Sequence, residues 1–84
     1  MKYKIYIIPS AEKELDLLPR KVFNRIIDRI LQLSENPHPK NSKKLTDRQE
    51  YRLRVGNYRI LYSIDSKKHI VVIVSVLHRK DAYK

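Results

Sequence analysis

The stretch EYRLRVGNYRILY, residues 50–62, alternates polar and apolar side chains, breaks at Gly56-Asn57 and then alternates again. Period-two alternation on both sides of a Gly-Asn pair is the pattern of a β-hairpin with a two-residue turn. That turn pairs Val55 with Tyr58, sets Arg54 across from Arg59 and Arg52 across from Leu61, and so gathers three guanidinium groups on one face. Tyr51, Leu53, Val55, Tyr58, Ile60, Tyr62 and Ile64 fall on the other face, which must be covered by helices. Like charges directly opposed across a hairpin cost up to about 1 kcal/mol. No acidic residue follows Glu50 within these strands to offset that cost. Arginine makes paired hydrogen bonds to phosphate through its planar fork and keeps its charge at any relevant pH, so the face reads as an anion site. Solvent-facing decoration is the plainer alternative, and the facing positions of Arg54 and Arg59 count against it.

Working outward, residues 2–8 form a first strand. Ser10 offers an N-cap to a short helix, with Glu12 and Glu14 in the early turns where the helix dipole favours negative charge, and Ala11, Leu15 and Leu18 at helical spacing. Pro19 ends that helix and suits the first turn of a second, whose apolar face is Val22, Phe23, Ile26, Ile27, Ile30 and Leu31. The polar, proline-containing segment ENPHPKNSKK, residues 35–44, reads as a loop without core residues. Strands follow at 50–55, 58–64 and 69–77, then the tail HRKDAYK. The fold class is therefore α+β: an N-terminal strand, a two-helix hairpin and a three-stranded antiparallel meander, in one sheet with the helices on one face. Residues 1–84 are expected to make a single domain, because a chain of this size hides only about 60–65% of its unfolded surface and has room for one modest core. The placement of the last strand stays open. A four-residue turn over 65–68 puts His78 on the arginine face, whereas a three- or five-residue turn, or one bulge, puts Arg79 there.

Nineteen Lys and Arg against nine Asp and Glu give a formal charge of +10, which predicts attraction to polyanions, nucleic acid first among them. Lys40 to Lys44 and Lys67-Lys68 read as solvated turns. The absence of cysteine removes a disulfide framework and a thiolate metal site, and no apolar run reaches the roughly 18 residues of a membrane span. The opening MKYKIYIIPS lacks a long apolar region and a small-residue cleavage site, so a cytoplasmic protein is expected. His38 and His69 have no partners at metal-ligand spacing, and neither a metal nor a cofactor is expected.

YRLRVGNYRILY followed by VSVLHRKDAY resembles the RelE/ParE toxin superfamily, and in particular its RelE branch of messenger RNA interferases. The order of strand, two helices, three strands and tail matches that layout over nearly the whole chain, which implies a RelE-like, microbial-RNase-like fold. The resemblance implies a type II toxin that cuts messenger RNA on the ribosome. Attack of a ribose 2′-hydroxyl on the adjacent phosphate would leave a 2′,3′-cyclic phosphate and a free 5′-hydroxyl. By matching positions, the family's cleavage site falls on Arg52, Arg54, Arg59, Arg79 and Tyr83, which favours the geometry with Arg79 on the cationic face. The best-known members carry lysines at the positions of Arg52 and Arg54; arginine there stabilises phosphate but does not act as a base. Tyr83 is the candidate base, because guanidinium groups favour its phenolate. Arg59 and Arg79 would neutralise the developing charge, and Arg79 is also a candidate donor to the leaving oxygen. His78 is an additional candidate acid, although with Arg79 on the open face it turns toward the helices. Removing Arg59 is expected to leave the fold intact or slightly more stable. The implied partners are a cognate antitoxin and messenger RNA on the ribosome, with no membrane role. Two other functions compete: a ParE-like toxin that inhibits DNA gyrase without cleaving anything, and a plain nucleic-acid-binding module.

Overall fold

The alternation of residues 50–62 folds as an antiparallel hairpin in the computed structural model, which describes residues 2–45 and 50–78. Strands β3 (Glu50–Val55) and β4 (Tyr58–Asp65) pair with Val55 opposite Tyr58 and Arg54 opposite Arg59. Gly56 holds φ 59 at the first central position of the turn, a conformation strained for residues with a Cβ.

The remaining strands build outward from this hairpin. β5 (Ile70–His78) runs antiparallel to β4, and β1 (Lys4–Ile7) lies parallel to β5 at one edge. A short strand β2 (Ser42–Lys44) pairs antiparallel with β3 at the other edge. Among the described residues the sheet therefore has five strands in the order β1-β5-β4-β3-β2, one more than the sequence pattern predicts. The extra strand comes from the 35–44 segment, and so does a core residue: Pro37 is buried, and its carbonyl accepts a hydrogen bond from the Tyr62 hydroxyl at 2.8 Å. Three residues are too few to show a period in sequence, and the prolines before them mask the strand.

Helices α1 (Pro9–Asp16) and α2 (Arg20–Glu35) pack on one face. Pro9 opens α1 directly, since a first-turn residue needs no amide donor, so Ile8 rather than Ser10 takes the cap position. Pro19 caps α2, its carbonyl accepting the Phe23 N–H at 2.8 Å. Ala11 and Leu15 from α1 join Ile26, Ile30 and Leu33 from α2 over Leu53, Val55, Ile60, Tyr62, Val71, Ile73 and Val76 of the sheet. Leu31 is 59% exposed and Leu33 takes its expected place, because the buried stripe runs through 26, 30 and 33. Among the described residues, no helix is long and apolar enough to cross a membrane.

The turn between β4 and β5 spans four residues, 66–69, with Asp65 opposite Ile70. That length alone would place His78 on the arginine face. A bulge intervenes: Leu61 pairs with Ser75 and Tyr62 with Ile73, leaving Val74 as the extra residue. The parity flips there, so Leu77 shares a face with Arg59, and His78 faces the helix side opposite Tyr58. β1 ends at Ile7, opposite Ile73, so among the described residues β5 has no strand partner on that side beyond the bulge. Glu14 of α1 fills the gap. Its carboxylate accepts the Ser75 hydroxyl at 3.0 and 3.2 Å and the Val76 N–H at 3.0 Å.

Candidate nucleic-acid interface

The face of the sheet away from α1 and α2 carries its charge in two cross-strand rows. One row runs Lys43, Arg52, Leu61 and Ser75, and the next runs Arg54, Arg59 and Leu77. Lys43 belongs to a stretch whose composition predicts a solvated turn; only its pairing with Arg52 brings it to this face. The cations differ in exposure. Arg54 is exposed, Arg52 is half-buried, and Arg59 is 6% exposed on the central strand, between Arg54 and Leu77 in its row. Arg59 is thus an embedded guanidinium rather than the open one that strand alternation suggests.

The structure brings Arg52, Arg54 and Arg59 together on this face as expected. Arg79 and Tyr83 lie outside the described residues. His78 is turned from the arginine rows, with its ring edge-on to Tyr58 at 4.9 Å. On the helix side, Tyr62 stacks on Tyr51 at 5.7 Å, and His38 meets Tyr51 edge-on at 5.1 Å, tying the 36–39 connection to the back of the hairpin. Burial pushes the Tyr62 phenol above its ordinary pKa, so it stays a neutral donor to Pro37.

A partly embedded row of guanidinium groups on a rigid sheet, with an apolar neighbour at Leu61 and Leu77, suits a phosphate diester. The forks meet the oxygens and the aliphatic side chains lie beside the sugar or base.

Sequence comparison gives the class: residues 5–83 match the ParE toxin of type II toxin-antitoxin systems, and the chain belongs to this toxin family, within the RelE/ParE superfamily. Among its relatives, the chain is 32% identical to the putative toxin RelE1 of Methanocaldococcus jannaschii, over all of this chain and 98% of that protein. It also superimposes on the RelBE2 toxin-antitoxin complex of Mycobacterium tuberculosis with a TM-score of 0.85 at 29% identity, covering 94% of this chain and 100% of that one. The archaeal RelE-RelB complex of Pyrococcus horikoshii OT3 gives the same TM-score at 28% identity, with coverage of 94% and 97%. The protein is a type II toxin with a RelE-like α+β fold.

Proposed function

We propose that this toxin is a messenger RNA endonuclease acting in the cytoplasm on ribosome-bound message. The observation that carries this reading is the facing pair Arg54 and Arg59, flanked by Arg52, on the face away from α1 and α2. The two opposed charges repel and so work against the fold, whatever their stems add by packing, whereas a pentacoordinate phosphate needs fixed positive charge around it. In the reaction, the ribose 2′-oxygen attacks the neighbouring phosphorus, the bond to the 5′-oxygen breaks, and that oxygen takes up a proton. A 2′,3′-cyclic phosphate and a 5′-hydroxyl result. Arg52 and Arg54 hold the phosphate, and Arg59 stabilises the transition state from its embedded position. Arg79 adds charge or the leaving-group proton, and Tyr83 removes the 2′-proton. A cognate antitoxin masks the face, as the RelB chains accompany the toxins of the similar complexes.

The gyrase-inhibiting reading shares the fold but gives the arginine row no task. The RelE names of the relatives favour cleavage as well. The test is toe-printing of a translated message: purified toxin should yield cut messenger on ribosomes and leave naked messenger intact. Supercoiling inhibition without cut messenger would overturn the proposal, and so would efficient cutting of naked message.

A further inference from the structure

β2 covers the outer edge of β3 only at Tyr51, Arg52 and Leu53. Beyond it, the end of β3 borders a groove of about 520 Å³ that separates the strand from α2. Among the described residues, six cationic side chains line it: Arg25 and Arg29 from α2, Lys40 from the α2–β2 connection, Lys43 from β2, and Arg52 and Arg54 from β3. Among the described residues that line it there is no carboxylate, and none of the six side chains has a hydrogen bond or ion pair. Arg25 reaches as far as the hairpin turn. Its Nη1 lies 3.3 Å from the point where a Cβ on Gly56 would stand. A smaller hollow of about 250 Å³ shares Arg29, Lys40 and Asn41 and carries the depression on toward Asn36.

Unneutralised cations drawn from four separate segments into one groove repel one another, and only a bound polyanion turns that arrangement to advantage. Arg52 and Arg54 belong both to the groove and to the sheet face, so the positive surface continues around the β3 edge without a break. A polymer with a charge at every residue matches a continuous track. Four of the six groups are guanidinium, the better partner for phosphate. We propose that this groove is a second RNA-binding site, holding backbone phosphates of the strand that flank the one engaged on the sheet. The inference rests on the proposed reading of that face as an RNA site.

The test uses the full chain and a fluorescent single strand of about 12 nucleotides with 2′-O-methyl riboses, which cannot be cut by 2′-oxygen attack. Arg25→Gln, Arg29→Gln and Lys40→Gln are combined in one variant; all three positions are exposed, so the fold should persist by circular dichroism. Lys4→Gln, Lys67→Gln and Lys68→Gln make a second variant of the same net charge, altered at the opposite end of the sheet. The groove variant should lower the slope of log affinity against log salt by about 2, at roughly 0.7 per lost phosphate contact, while the second variant keeps most of the parental slope. Equal losses in both variants would reduce the groove to general charge and overturn the proposal. An unchanged slope in the groove variant, or a parent that binds no RNA, would overturn it too. Loss of binding to a glutamate peptide with RNA binding unchanged would assign the groove to an acidic protein instead. A parent that binds the strand through the groove but cuts no messenger on ribosomes would sink the nuclease reading and leave the groove standing.

Discussion

Arg54 and Arg59 stand directly opposite each other across the β3–β4 hairpin, yet Arg54 is open to solvent and Arg59 is 6% exposed. The two should therefore respond differently to truncation. Arg54→Ala relieves the repulsion without opening a void and should raise stability by up to about 1 kcal/mol. Arg59→Ala removes an embedded aliphatic stem as well as a charge and should lower stability by about 1 to 3 kcal/mol. The gain expected at Arg59 from strand pairing alone moves to Arg54. Urea denaturation of the two variants checks this, and equal effects would mean that burial does not distinguish them.

A second prediction concerns Tyr62, whose hydroxyl donates to the Pro37 carbonyl in the core. Tyr62→Phe leaves that carbonyl without its donor and should cost about 1 to 2 kcal/mol near neutral pH. Burial holds the folded phenol above its ordinary value of 10.0. The unfolded chain then loses its proton first as pH rises, so Tyr62 favours folding below pH 10.0 and that contribution fades through the raised folded pKa. The stability gap between parent and Tyr62→Phe should narrow as urea midpoints are followed from about pH 9 to about pH 11. A gap that stays constant or widens would contradict it.

A third prediction follows from the bulge. Val74 is the residue that sends Leu77 to the arginine face and His78 to the other, and Glu14 holds the strand just past it through Ser75 and Val76. Deleting Val74 restores simple alternation and exchanges the faces of everything after it. Cleavage should fall below detection while a folded spectrum survives. Glu14→Ala should instead cost about 1 to 3 kcal/mol, because it strands the Val76 N–H, and should leave the faces in place. Parental cleavage by the Val74 deletion would separate the site from strand parity.

The hairpin was legible in the sequence because its two strands share one period and a turn pair that only one register satisfies. The pairing of Arg54 with Arg59 and of Arg52 with Leu61 follows from that register. The bulge was visible only as one of several alternatives, since VVIVSV offers apolar residues to both faces and no glycine marks the irregularity. β2 and buried Pro37 were illegible for a related reason: β2 is a strand only through its pairing with β3, and Pro37 is held by the Tyr62 hydroxyl, partners that come from later strands and not from local pattern. The burial of Arg59 was likewise not legible from alternation, which puts Leu61 on the same strand and face yet leaves that residue only half-buried.

The last prediction separates two candidates for the proton. His78 sits edge-on to Tyr58, on the side of the sheet away from the arginine rows, so His78→Gln should cut at close to the parental rate. Tyr83 enters through the family resemblance, as a phenol whose ionisation nearby guanidinium groups would favour. Tyr83→Phe keeps the ring and removes the acceptor. As a base, its loss should lower single-turnover cleavage on programmed ribosomes by about two to four orders of magnitude with ribosome binding nearly unchanged. If Tyr83→Phe cuts normally and His78→Gln does not, the proton passes through the histidine, and the edge-on packing of His78 against Tyr58 would have to open when RNA binds.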